Sequence, residues 1–189
     1  LAAGAFGERD EGWLDPHGLM SLLRKAAQSR GVSVVQAEVS GIEASAGRIT
    51  SVTTASGERI ACGILINAAG PGAGHLAALA GFALPVAPRK RYVYVLDCPQ
   101  ASEALHRAPL TVDPLGCYFR PEGRHFICGL SPEEHEEPAA DDFEVDYTWF
   151  EERIWPVLAE RIPAFEAIKV INAWAGHYDY LSLIHISEP

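Results

Sequence analysis

The sequence predicts a chain of mixed α+β and α/β class in two parts, residues 1–84 and 85–180. Three observations carry that expectation. The apolar run Ile64-Leu65-Ile66 ends in Asn67 and the small-residue turn Ala68-Ala69-Gly70-Pro71-Gly72, and residues 75–80 then read as a helix start. Strand, glycine turn and helix together are how an α/β sheet presents amide groups to a phosphate or a ring edge. Residues 38–61 read as short strands separated by turns at Gly47 and Ser56-Gly57, the pattern of an antiparallel meander. Beyond the stiff connector Leu84-Pro85-Val86-Ala87-Pro88 the texture changes. Residues 89–97 set Tyr92, Tyr94 and Leu96 against Val93 and Val95, as a long strand with one aromatic face does.

In order, Asp15 followed by Pro16 marks a helix start, a capping carboxylate before proline at the first helical position. Leu19, Leu22 and Leu23 recur at helical spacing, and Gly31 stops the pattern, which places a helix over 16–30. Strands are expected at 32–36, 38–44, 48–55, 58–61 and 64–67. In the second part, 99–108 is a loop with a short helical piece. Strands follow at 110–112, 117–120 and 125–128, with turns at 113–116 and 121–123. Residues 149–161 form a helix that Pro156 should kink or break. Residues 169–180 read as a strand entering a bend at Gly176.

Composition narrows the function. The 189 residues are 48% apolar, enough for one sizeable core or two small ones. A net charge of −10 speaks against a nucleic-acid partner. The acidic run at 132–144 reads as a solvated loop. No apolar run approaches the ~20 residues of a membrane span. Cys62, Cys98, Cys117 and Cys128 lack CxxC spacing and read as buried free thiols in a reducing compartment. The histidines show no metal-ligand spacing, so no metal is expected. The four tryptophans read as core or seam fillers. The chain opens without Met, and residues 181–189 (LSLIHISEP) break with what precedes them. They resemble translated adaptor read-through, a non-native tail, although LSLIHI also alternates as a natural final strand would.

Four short segments, taken in order and spacing, resemble the D-amino-acid oxidase superfamily of FAD-dependent amine and amino-acid oxidoreductases. They are Gly12-Trp13-Leu14-Asp15-Pro16, Asn67-Ala68-Ala69-Gly70-Pro71, Tyr118-Phe119-Arg120-Pro121 and Trp174-Ala175-Gly176-His177-Tyr178. The chain is most similar to the sarcosine oxidase and dimethylglycine dehydrogenase side of that superfamily and to its FAD-dependent oxidoreductase domain-containing members. The resemblance covers nearly all of 1–180. It implies an internal fragment of a two-domain fold: an incomplete Rossmann-like FAD domain over 1–84, then a substrate domain over 85–180 with a mixed or antiparallel sheet. The glycine fingerprint for the FAD pyrophosphate would precede Leu1.

The resemblance also implies roles. Val39 matches a strand valine whose backbone meets the adenine edge, or is an ordinary core valine. Ala68, Ala69 and Gly70 match the second approach to the dinucleotide, where a larger side chain would collide. Gly72 stands where relatives often carry an aromatic residue. Tyr118, preferred to Phe119, matches the aromatic residue that roofs the substrate. Arg120 would share its face as a carboxylate clamp, or be a surface arginine. Arg89, Lys90 and Arg91 are a solvated basic strand end or an anion site. Gly176 matches a position beside the flavin and near the cysteine that tethers it in sarcosine oxidases, so a covalent link from this segment is not expected. His177 is either packed or works as an acid/base group. Tyr178 replaces the arginine that forks the substrate carboxylate in glycine and D-amino-acid oxidases, and a phenol cannot replace that charge. Ser131 stands near a lysine that promotes oxygen reduction in sarcosine oxidase.

Those departures favour a dehydrogenase over an oxidase. It would act on the C–N bond of a secondary or tertiary amine or amino acid and pass electrons to an acceptor protein. A cytoplasmic location is expected, or the mitochondrial matrix in a eukaryote. The alternative is a flavoprotein that serves as an assembly factor for a respiratory complex.

Overall fold

The computed structural model describes residues 3–5, 7, 9, 10 and 12–181. The tail expected to be non-native lies, past Leu181, outside them. The chain forms two compact units, Leu1–Ala69 with Gly74–Leu84, and Gly70–Ala73 with Pro85–Pro189.

In the first unit, helix α1 (Pro16–Gln28) begins at the predicted proline. Asp15 caps it through its backbone carbonyl, which accepts from the Leu19 N–H at 3.0 Å; its side chain makes no capping bond. At the other end Gly31 takes φ +87°, so Val32 N–H turns back to the Ala27 carbonyl at 3.2 Å. Strands β1 (Val39–Ser45), β2 (Arg48–Thr54) and β3 (Arg59–Ala61) form the antiparallel meander in the order β1-β2-β3. Ala46 and Gly47 both take positive φ in the two-residue turn between β1 and β2, whose twist matches that of the strands. Across the sheet, buried Ser51 donates to Glu43 at 2.9 Å and accepts from Arg59 at 3.0 Å. The Arg59 side chain beside Glu43 holds that carboxyl below its ordinary pKa. Helix α2 (Ala73–Leu79) follows the small-residue turn.

Two expected strands do not form. Residues 32–36 and 64–67 are irregular, and Ile64 and Ile66 stay 83% and 82% exposed. Apolar composition supplies strand propensity, but a strand needs a neighbour for its backbone N–H and C=O groups. No segment among the described residues provides one.

The second unit is a five-stranded antiparallel sheet in the order β5-β6-β7-β4-β8. Its strands are β4 (Val86–Asp97), β5 (Thr111–Val112), β6 (Tyr118–Glu122), β7 (His125–Gly129) and β8 (Lys169–Leu181). A short helix, α3 (Glu103–His106), follows β4. The β4–β8 ladder runs from Val86↔Leu181 to Asp97↔Lys169, with one register shift beside Val95. Gly176 pairs with Arg91 inside this ladder, so the expected bend there is replaced by continuous strand.

One sheet face is core. Tyr92, Tyr94, Leu96, Phe119, Phe126 and Cys128 pack against Phe150, Ile154, Leu158 and Phe165. The covering helix runs on past the proline without a break, but α4 (Tyr147–Trp149) widens into a π turn over Phe150–Ile154 just before α5 (Trp155–Arg161), which holds Pro156. The Trp155 N–H reaches the Phe150 carbonyl, and Pro156 enters where its missing N–H is least needed. Alternation and register place Arg89, Arg91, Tyr118, Arg120, Trp174, Gly176, Tyr178 and Tyr180 on the opposite face.

The acidic run is not merely solvated. Glu137 binds Arg91, Asp142 binds Lys90, and Glu136 binds Arg153 at 2.6 Å. Carboxylates at this spacing read as a loop because the basic partners on β4 lie about fifty residues away in sequence.

Candidate functional site

On the second unit's outer face, Arg91, Tyr118, Leu130, Ser131 and Tyr178 line one shallow cleft, bordered also by Tyr92, whose ring packs into the core on the other face. It lies where the chain leaves β7 at Gly129 and passes through Leu130 and Ser131 beside β4. Leu130 is anchored by its carbonyl, which accepts the Trp149 indole N–H at 3.3 Å. Tyr118 lies across β7 because its cross-strand partner is glycine. A Cβ on Gly129 would fall 2.7 Å from the Tyr118 hydroxyl and 2.9 Å from its ring carbons. A side chain there would push the phenol aside.

Two of the four expected substrate residues therefore meet. Tyr118 and Tyr178 come from β6 and β8, the two strands flanking the β7–β4 pair, and share the cleft. Arg120 sits on Tyr118's face two residues along. It binds the Glu122 carboxylate and donates to the Pro121 carbonyl at 3.0 Å, outside the cleft lining. His177 falls on the other face, as alternation requires of Tyr178's neighbour. Its ring stacks on Phe143 with centroids 4.4 Å apart, and Nε2 lies 3.2 Å from the Asp142 carbonyl. That separates it from the substrate grouping and makes it a packed histidine.

Among the expected cofactor residues, Val39 is half-buried at the start of β1, paired with Thr54. Asn67 Oδ1 accepts from Ala69 N–H at 3.2 Å, fixing the turn that carries Ala68 and Ala69 in the first unit. Gly70 takes φ +53° in the 3-10 turn Gly70–Gly72, which packs against β4 and β8 in the second unit. A Cβ on Gly70 or on Gly176 would meet no atom within 4 Å. Trp174, Tyr178 and Tyr180, spaced on Gly176's face of β8, are half-exposed. Among the described residues no cluster of His, Cys, Asp or Glu is arranged to hold a metal.

Tyr92 and Leu130 in the lining, and Gly129 beneath Tyr118, carry no sign of the site in the sequence, where Arg91 is marked only as one of three cations that could bind an anion. The basic start of β4 was recognised. Which of its three cations lies near Tyr118 depends on the register of β6 on β7 and of β7 on β4, and a single sequence does not contain that.

Burial, with a smaller push from the Tyr178 phenol, raises the Tyr118 pKa to about 12, and burial raises Cys117 to about 12. Tyr118 therefore remains a hydrogen-bond donor through neutral and mildly alkaline pH. Both folded values lie above their ordinary values of 10.0 and 9.0. The stability they contribute is complete below about pH 9 and is lost as pH climbs through the range up to about 12. The urea midpoint should be flat from neutrality to about pH 9 and fall steadily above it.

The chain matches the family described as FAD dependent oxidoreductase (DAO) over residues 1–187. Among curated relatives, FAD-dependent oxidoreductase domain-containing protein 1 of Bos taurus is 41% identical over 214 aligned positions, covering 95% of this chain and 43% of that protein. L-Proline dehydrogenase from P. horikoshii superposes with a TM-score of 0.76 at 22% identity, covering 89% of this chain and 44% of that one. Glycine oxidase from Geobacillus kaustophilus superposes with a TM-score of 0.69 at 22% identity, covering 87% and 42%. At such identities the superpositions establish the fold. The chain spans less than half the length of the proteins it matches.

Proposed function

This chain belongs to the DAO family of FAD-dependent oxidoreductases, and from that premise we propose that its protein oxidises the C–N bond of a secondary or tertiary amine or amino acid. The observation that carries the proposal is the meeting of Tyr118 and Tyr178 in one cleft, on the sheet face that also holds Gly176.

The residues present fit the family's cofactor. Gly176 leaves room on a strand flanked by half-exposed aromatic side chains, as a flat ring requires, and Gly70 leaves the same room at the turn after Ala69. When bound, FAD supplies the acceptor for a hydride from the carbon next to the amine nitrogen. The chain's own residues bind and orient. Tyr118 keeps its proton and can donate a hydrogen bond, Tyr178 adds a second phenol, and Leu130 adds an apolar wall that excludes water. Ser131 brings a hydroxyl and no positive charge to the cleft. That favours transfer of electrons to an acceptor protein over reduction of oxygen. The names of the two structural neighbours, L-proline dehydrogenase and glycine oxidase, are those of enzymes acting on small amino acids, one a secondary and one a primary amine, which supports an amino-acid substrate and leaves the degree of alkylation to the test.

The test is turnover of the FAD-loaded protein on sarcosine, dimethylglycine and proline, read once with an artificial electron-accepting dye and once with oxygen alone. Dye-linked oxidation of at least one of these amines, with little hydrogen peroxide, is expected. Equal rates of peroxide formation would replace the dehydrogenase with an oxidase, and silence on every secondary and tertiary amine would remove the substrate class.

A further inference from the structure

Arg91 stands on the cleft wall beside Tyr118 and Tyr178, yet its fork is already filled. Nη1 donates to Glu137 Oε2 at 2.8 Å and Nη2 to Glu137 Oε1 at 2.7 Å, while Nη1 also donates to the Lys90 carbonyl at 2.8 Å. Both side chains are only 13% exposed. This parallel, two-point grip is the geometry by which an arginine holds a substrate carboxylate, and here the carboxylate belongs to the chain.

We propose that Glu137 is a specificity residue: by occupying Arg91 it makes the cleft turn away a substrate carboxylate and receive the alkylated-amine end instead. The proposal deepens the substrate reading above and rests on the cleft being the amine site. An incoming carboxylate would have to displace Glu137 from a largely buried ion pair or lie beside its negative charge, and either is unfavourable. The neighbouring cation Arg89 lies 3.7 Å from the same Glu137 and 4.8 Å over the Tyr180 ring, and is not among the cleft-lining residues. The remaining lining is Tyr118, Tyr178 and Ser131, which carry hydroxyls, and the apolar Leu130, with Tyr92 bordering the cleft while its ring packs in the core. Aromatic faces with hydroxyl edges suit an N-alkylated ammonium, whose charge is spread over apolar substituents. The acidic run thus reaches the cleft through one residue, which fixes what the cleft accepts.

The test measures equilibrium binding of methoxyacetate, a carboxylate with no amine, to the FAD-loaded protein by calorimetry. Glu137→Gln frees the Arg91 fork, and the affinity for methoxyacetate should rise about tenfold, the worth of one charge-assisted hydrogen bond. Unchanged or weaker binding in a variant that retains its FAD would overturn the proposal. If the single variant does not fold, the double variant Arg91→Gln with Glu137→Gln decides. Affinity within about twofold of the parent supports an Arg91 that was never available, and a loss of about tenfold would show that Arg91 binds the carboxylate directly and overturn it. Because binding is read without turnover, a protein that oxidises no amine yet gains carboxylate affinity in Glu137→Gln would sink the proposed reaction and leave the role of Glu137 standing.

Discussion

Replacing Gly176 by leucine is expected to lower FAD affinity by about tenfold to a hundredfold while leaving the fold intact. Gly176 lies in the middle of β8, opposite Arg91, and a Cβ there would meet no atom within 4 Å. Its backbone is extended, so a side chain brings no conformational strain, and leucine should even suit the strand better than glycine. The protein itself therefore has no reason to reject the substitution. Flavin absorbance per mole of protein, compared with the circular dichroism of the same sample, separates the two effects. FAD content equal to that of the parent would move the cofactor away from this face.

The second large effect concerns the core that holds the cleft in place. Phe126 is fully buried, with ring centroids 5.2 Å from Phe165, 6.4 Å from Phe119 and 4.8 Å from His106. Phe126→Ala removes a ring from the middle of that cluster, on the face of β7 opposite the cleft. A loss of about 3–5 kcal/mol is expected, from the lost burial plus the cavity that remains. Leu115→Ala, at a side chain 67% exposed, should stay within about 0.5 kcal/mol and serves as the control. Urea unfolding of both variants measures the difference. A Phe126 variant losing less than about 1 kcal/mol would mean that the sheet is not held by this cluster.

Much of the second unit was legible because its strands carry their own period. Tyr92, Tyr94 and Leu96 alternate with Val93 and Val95, and the structure puts the first three into the core. The same rule separates His177 from Tyr178, and applying it to both residues would have excluded one of them from the cleft. Pro156 marks an irregularity in the helix but neither its place, over Phe150–Ile154, nor its form, because a π turn depends on how Phe150 and Ile154 seat against the sheet.

The strands expected at 32–36 and 64–67 mark the limit of propensity. Val34 and Ile66 have the right residue type, and pairing is a property of a neighbour. Part of the cleft's lining was hidden for a related reason. Arg91, Leu130 and Gly129 acquire their roles only through a register that joins β4, β6, β7 and β8, and Glu137 reaches Arg91 across forty-six positions. A run of carboxylates carries no local sign that one of them will be buried. The family resemblance points to Tyr118 and Tyr178, and both line the one cleft.

The most direct measurement is the flavin spectrum of the FAD-loaded protein mixed, without oxygen, with sarcosine, dimethylglycine or proline. The account predicts that the oxidised flavin absorbance bleaches with at least one of them. It also predicts that Tyr178→Phe, which removes one of the two phenol hydroxyls from the cleft, shifts the amine concentration needed for half-maximal bleaching upward by about tenfold. An oxidised spectrum that persists with every secondary and tertiary amine, in protein carrying a full complement of FAD, would contradict it.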